Sequence, residues 1–210
     1  MILSIDTSTA LTSVCVTDAD DVVVELSHLD ARKHAEVLAP MLSTVLGHVD
    51  RSDVDAVAVG VGPGPYTGMR VGIATATAFA AAWGLPVFGL CSLDAIAESR
   101  CATDVSGPFG VASDARRQEI YWARYDEQGS RTDGPRVGRR ADIDAHLLAG
   151  AWIGDLGVDQ PAGEAPVHPQ ASWVGRRVAR LLRDGAQVAT ADAVLSIHGV
   201  DGGSTSDALR

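Results

Sequence analysis

Lysine is nearly missing from this chain of 210 residues: sixteen of its seventeen cations are arginine, and Lys33 stands alone. With alanine and glycine so abundant, the arginine excess reads as genome composition and carries no mechanistic weight. Without a lysine after a glycine-rich loop there is no P-loop. Cysteine is scarce too. Cys15, Cys91 and Cys101 are an odd number without metal-ligand spacing, which fits a reducing cytoplasm better than a disulfide framework. No run of 18 apolar residues occurs, so no membrane-spanning helix is expected. The start, MILSIDTST, has neither the basic residues nor the apolar run of a secretory leader. H-E-x-x-H and G-x-S-x-G are both absent, so zinc peptidases and nucleophile-elbow hydrolases have no local signature. No repeat with a period of about 20–50 residues appears.

What is present suffices for a core. Apolar residues make up 46% of the chain, enough for one domain or two small ones. The formal charge is 17 − 27 = −10, so bulk charge will not hold RNA to this chain. Residues 1–6, 13–17 and 22–29 read as three successive strands, the last two joined by the turn Asp18-Ala-Asp-Asp21. The period then changes. Val37, Leu38, Met41, Leu42, Val45 and Leu46 fall at helical spacing, predicting a helix over 34–46 that Pro40 kinks or delays and Gly47 stops. A buried strand follows over 56–61. Then come a glycine–proline loop, an alanine-rich helix over 69–83 stopped by Gly84, a strand over 86–90 and a helix capped by Ser92.

The order β-β-β-α-β-α-β is similar to the ribonuclease H-like unit that actins and sugar kinases share. That similarity implies an α/β, actin-like (ASKHA) fold of two lobes: residues 1–100, then a smaller lobe over 101–200, with 201–210 a flexible tail. In the second half, 109–113 and 119–125 flank Asp114-Ala-Arg-Arg117 as a strand pair. Residues 141–148 suggest a short helix, 155–169 a loop and 171–183 an amphipathic helix.

Three features could carry chemistry. The loop Gly60-Val-Gly-Pro-Gly-Pro-Tyr-Thr-Gly68 leaves a strand and opens a helix. Gly62, Pro63, Gly64, Tyr66 and Thr67 are its centre, and Thr67 is the expected cap. The free amides of such a helix start can hold phosphate or carboxylate; a tight turn with no ligand fits as well. The strand-end turn Asp6-Thr7-Ser8-Thr9 could hold phosphate or close a hairpin. Paired across a cleft with Asp114, Asp6 could hold a divalent metal for a hydrolase or nuclease. Third, Gly68, Gly72, Ala76, Ala80 and Gly84 recur every fourth residue, while Val71, Ala74, Thr75, Ala78 and Ala82 make the opposite side apolar as well. A helix apolar all round is covered on all sides. In a small chain, a partner protein is the expected source of that cover. The expected contact residues are Val37, Leu38, Met41, Leu42 and Val45 on the first helix and Gly68, Gly72, Ile73 and Ala76 on the second, with Arg70 adding a polar contact. The six histidines are scattered and read as solvated or capping residues.

Gly62-Pro-Gly-Pro-Tyr-Thr-Gly-Met-Arg-Val-Gly72 closely resembles the G-P-G-x-F/Y-T-G-x-R-x-G motif of the TsaB proteins. Ile5-Asp-Thr-Ser-Thr9, His34-Ala-Glu-Val-Leu-Ala-Pro40 and Ser113-Asp-Ala-Arg-Arg-Gln-Glu-Ile-Tyr121 follow the family in order, covering about residues 1–125. The resemblance implies a non-catalytic subunit in making N6-threonylcarbamoyladenosine next to the tRNA anticodon. The implied partners are a TsaD-type paralogue, which transfers the group, and a TsaE-type ATPase; tRNA is reached through the complex, and a homodimer is possible. TsaD-type proteins hold a metal through a histidine pair on the helix where His34 stands alone, with Leu38 at i+4, so no metal is expected here. No intrinsic cofactor is expected, ATP or ADP fitting only at a complex interface. The Asp6, Thr7, Ser8 turn then reads as a degenerate phosphate turn. A peptidase, suggested for relatives, finds no nucleophile–base pair. The family's usual P-x-Y-L-R strand near the C-terminus is absent or rewritten over 193–210.

Overall fold

The structure, a computed structural model, describes residues 1–102, 106–143, 150–156 and 166–190. Its larger sheet holds six strands. The first three strands, β1 (Ile2–Asp6), β2 (Leu11–Asp18) and β3 (Asp21–Leu29), form the expected antiparallel meander. Strand β4 (Ala56–Gly60) lies parallel to β1, and β5 (Val87–Leu90) parallel to β4. Such parallel neighbours need a crossover, and α2 (Tyr66–Trp83) supplies it between β4 and β5.

Side chains alternate along a strand, so each buried strand serves both faces. Leu3, Ile5, Val57 and Val59 join the core under α2 and α1 (His34–Leu46). Ile2, Ala56 and Ala58 pack on the other face against Val174 and Val178 of α4 (Ala171–Arg183). Helix α1 runs from His34 through Pro40 to Leu46 as one element, so Pro40 does not delay its start. Pro40 is exposed, and the carbonyl of its own residue accepts a bond from the Thr44 hydroxyl at 3.1 Å.

The smaller sheet has the order β8-β7-β6-β9, from β6 (Phe109–Arg116), β7 (Glu119–Tyr125), β8 (Arg131–Gly138) and β9 (Ala151–Gly154). Its inner face packs Phe109, Val111, Ala123 and Tyr125 against Leu93, Ile96 and Ala97 of α3 (Ser92–Glu98). The turn Arg116-Arg117-Gln118 holds three successive residues at φ 67°, 55° and 66°.

The chain does not divide into two consecutive halves. Helix α4 and β10 (Ala189–Thr190) return to the larger sheet, β10 pairing antiparallel with β5. The reason lies at the start of α4. Its first amides receive no cap from their own segment; instead Ser13 Oγ of β2 accepts from Ala171 N at 2.9 Å, and Glu25 Oε1 of β3 accepts from Ser172 N at 2.9 Å. Between the layers, Glu98 of α3 accepts from Arg177 and Arg180 of α4, and Arg177 also donates to the Gly129 carbonyl beside β7. The expected helix over 141–148 and the tail beyond Val200 lie outside the described residues, apart from a short turn at Arg140–Asp142. Among the described residues no helix is long and apolar enough to cross a membrane.

Candidate functional site

The end of β1 is where three motifs meet. Alternation sends Asp6 and Thr7 to opposite faces of the sheet. Thr7 points at α2, where its hydroxyl donates to the Gly68 carbonyl at 2.7 Å and accepts from Gly72 N at 3.1 Å. Asp6 points at α3. Its Oδ1 accepts from Ser8 N at 2.8 Å and Ser8 Oγ at 2.7 Å, and its Oδ2 accepts from Ser92 Oγ at 2.8 Å. Ser92 Oγ in turn accepts from Gly62 N at 3.2 Å, which ties the glycine–proline loop to the carboxylate. Asp6 is wholly buried, and burial pushes its carboxyl up from 3.8 to about 6 against the lowering effect of its three hydrogen bonds.

Glycines make this closure possible. A methyl group on Gly60 would lie 1.7 Å from Asp6 Oδ2, one on Gly64 would lie 1.9 Å from the Ser8 carbonyl oxygen, and one on Gly72 would lie 2.4 Å from Thr7 Oγ1. The protein's own loop and helix thus occupy the space around the Asp6-Thr7-Ser8 turn. Ser92 does not cap α3: the helix begins at Ser92 itself with Cys91 before it, and the Ser92 hydroxyl donates to Asp6 and accepts from Gly62 N. Thr67 is not a cap either: α2 begins at Tyr66 without a side-chain cap, and Thr67 is exposed. Pro63 is half-buried within the loop.

His34 differs from expectation in the same region. It is buried at the start of α1, with Nδ1 at 2.7 Å from Thr12 Oγ1 and its ring beside Gly68, and burial lowers its pKa. Asp114 is not brought into any carboxylate pair with Asp6. It accepts from the Arg116 amide at 2.9 Å and lies 3.7 Å from Arg116 Nε, while both oxygens of Asp6 are spent internally. Among the described residues no three His, Cys, Asp or Glu side chains gather into a metal-binding group.

The expected contact residues on α1 and α2 need a larger correction. Leu38, Met41, Leu42, Val45, Gly68, Gly72, Ile73 and Ala76 are all buried within this chain, and Val37 is half-buried. Helical period shows that a face is apolar and not what covers it; here the stripe of small residues lets α2 approach β1 and its turn. The exposed side of the pair is the one that carries Ala35, Ala39 and Ser43 on α1 and Ala74 and Ala78 on α2. A groove of about 430 Å³ runs between the helices, floored by Leu38, Leu42 and Leu46 and flanked by Val71, Thr75 and Phe79. None of the groove residues is charged. Arg70 and Tyr66 stand exposed on the first turns of α2, the guanidinium 5.1 Å over the ring and 3.1 Å from the hydroxyl.

Residues 27–189, well over half of the chain, match the family TsaD: tRNA N6-adenosine threonylcarbamoyltransferase. An uncharacterised protein of Mycobacterium tuberculosis is 45% identical over 157 residues, 71% of this chain and 72% of that one. The tRNA threonylcarbamoyladenosine biosynthesis protein TsaB of Escherichia coli is 36% identical over 132 residues, 61% of this chain and 57% of TsaB. Among solved structures, YeaZ from Pseudomonas aeruginosa superposes with a TM-score of 0.77 at 26% identity, over 92% of this chain and 96% of that one. A two-lobed actin-like fold, the glycine–proline loop on β1 and these matches agree, and the chain belongs to the TsaD family as a TsaB-type member.

Proposed function

We propose that this chain is an accessory subunit in tRNA threonylcarbamoyladenosine biosynthesis, binding a TsaD-type paralogue that carries out the transfer to adenosine. The uncharged groove between α1 and α2 carries the proposal. A surface of exposed alanines and serine beside a hydrophobic groove gains little from water, and small side chains let a second helix pair approach closely. The exposed Tyr66–Arg70 pair on the first turns of α2 supplies the residue types that dominate binding energy in protein interfaces. A TsaE-type ATPase joins the complex, and the reading places it in the cytoplasm with its tRNA. The hydrolase reading has weaker support, because Asp6 is wholly buried and both its oxygens already accept hydrogen bonds from Ser8 and Ser92.

The test uses exposed positions, so that folding is not at stake. Ala39→Glu with Ala74→Glu places charges in the groove's walls, and an unpaired charge buried in a contact costs about 3–5 kcal/mol, over a hundredfold in affinity. Co-expressed with the TsaD-type protein of the same genome, the wild-type chain co-elutes and the double variant does not, while its own unfolding midpoint stays put. Retention of the partner by the double variant refutes the proposed surface. A second copy of this chain in place of the paralogue identifies a homodimer instead.

A further inference from the structure

The edge of a β-sheet offers unpaired backbone N–H and C=O groups, and natural edges are blunted by shortness, proline or lysine. Of the four edge strands among the described residues, three are blunted. Strand β10 has two residues, β9 has four, and β8 carries Pro135. The fourth is β3, with nine residues and neither proline nor lysine. A bulge at Val23, where Val22 pairs with Thr17 and Val24 with Val16, leaves residues 24–29 regular.

Val24 and Leu26 of β3 turn to the core under α1. Alternation puts Glu25, Ser27 and Leu29 on the face of α4, where Glu25 accepts from Ser13 Oγ and Ser172 N. Leu29 is 63% exposed, and Val22 and Val23 are 40% and 42% exposed. These are three of the six large apolar side chains that stand exposed among the described residues, so half of them gather on one open strand edge. The ends of the strand differ in charge. The β2–β3 turn carries Asp18, Asp20 and Asp21, all exposed. Asp20 meets Arg183 of its own chain, and among the described residues Asp18 and Asp21 form no ion pair. Past the other end, the exposed Arg32 and Lys33 outnumber the half-buried Asp30. A strand acidic at its start and basic beyond its end complements a copy of itself only when the two run antiparallel.

We infer that β3 pairs edge to edge with β3 of a second copy, antiparallel, about a two-fold axis at Leu26. A two-fold axis perpendicular to the sheet keeps each face on its own side, so residues of equal parity oppose each other. Centring on Glu25 puts Glu25 against Glu25 and Leu29 against Asp21, and centring on Ser27 puts Glu25 against Leu29. Centring on Leu26 brings Leu29 beside Val23 and Glu25 beside Ser27, and it carries the acids of each turn to Arg32 and Lys33 of the other copy. The pairing uses up the open edge of both copies, so assembly stops at two. Helix α2 packs on β1 and β4 and α1 on β2 and β3, so the groove between the helices is not at this edge and the inference stands apart from the proposed function.

The test is sedimentation velocity of the full chain over a concentration series. The wild type should pass from monomer to dimer as concentration rises. Val23→Lys with Leu29→Lys, at two exposed positions, should weaken dimerisation by about tenfold or more, because lysine on an edge resists strand addition. Ala39→Glu with Ala74→Glu, in the groove, should leave the dimer intact. Register is read by cysteine. Under mild oxidation by diamide, a mixture of Val23→Cys and Leu29→Cys chains should form more disulfide-joined dimer than either variant alone or the wild type. A wild type that stays monomeric throughout, or a dimer that survives the lysines, overturns the inference. So does a dimer dissolved by the groove variant, which would place the contact on α1 and α2, and so does cross-linking no better in the mixture than in the single variants. Loss of the TsaD-type paralogue by the lysine variant, with self-association unchanged, would make β3 a contact to the paralogue and overturns it too.

Discussion

Replacing Asp6 with Asn changes the charge at the junction of β1, α3 and the glycine–proline loop without changing its volume. The carboxyl is fully buried and its pKa is pushed up from 3.8 to about 6. The shift of 6 − 3.8 = 2.2 units corresponds to about 3 kcal/mol at 1.36 kcal/mol per unit. Its sign is opposite to that of an ion-paired carboxylate. With the folded value above the unfolded one, the native state holds its proton longer. The stabilisation is fully present below about pH 4 and is lost as pH rises through about 6. The Asn side chain has no proton to lose. Its oxygen can keep both Ser8 donors, and its amide turns Ser92 Oγ from donor to acceptor, a swap that sets a constant offset. Urea unfolding of both proteins, followed by tryptophan fluorescence across pH, gives the difference in stability, in which all other titrations cancel. The variant should gain on the wild type by about 3 kcal/mol between about pH 4 and pH 7.5. A difference that stays flat with pH, or a wild type that gains on the variant as pH rises, refutes the burial argument.

Gly64→Ala puts a methyl 1.9 Å from the Ser8 carbonyl oxygen, a backbone atom that cannot swing aside, and should cost about 1–3 kcal/mol or more in urea unfolding. Gly138→Ala meets nothing within 4 Å and should stay within about 0.5 kcal/mol of wild type. Met41→Asp charges a side chain that is 8% exposed in the core and should unfold the isolated chain, visible as lost near-ultraviolet circular dichroism, whereas Ala74→Glu should leave that spectrum intact. Glu98→Ala strands Arg177 and Arg180 between α3 and α4; a loss of about 3 kcal/mol should lower the unfolding midpoint by about 6–12 °C. An unmoved midpoint would mean that water already screens the triad.

Period made the regular elements legible. The alternation over 13–17, the β-branched run over 22–29, the 3.6-residue spacing over 37–46 and the amphipathic stretch over 171–183 each became the strand or helix expected, because each is a property of its own local segment. What period does not record is the identity of the covering surface. Val45 at 0% exposure and Ala76 at 0% lie under the chain's own sheet, and nothing in a stripe of small residues separates that from cover by a partner. Caps failed for a related reason. Ser92 and Thr67, the expected caps, lie inside their helices, and the Ser92 hydroxyl goes to a carboxylate 86 residues earlier in the chain. The amides of α4 are likewise capped from β2 and β3, a pairing that spacing within α4 cannot reveal.

The buried stripe and the closed turn are one device. Gly60, Gly64, Gly68 and Gly72 recur every fourth residue across a strand end, a loop and a helix, so they share no single secondary-structure period. They share a neighbour: each lacks the Cβ that would strike Asp6, Ser8 or Thr7. Two hydrogen bonds join Thr7 to the helix backbone, its hydroxyl donating to the Gly68 carbonyl and accepting from Gly72 N, and they fix the rotation of α2 about its axis. Once Gly68 and Gly72 face the turn, the 100° step of the helix leaves Ala74 and Ala78 facing outward beside α1. Closure of the turn therefore sets which face of α2 reaches solvent. A substitution at Gly72, on the side of α2 away from the groove, should reach it by rotating the helix that forms one of its walls.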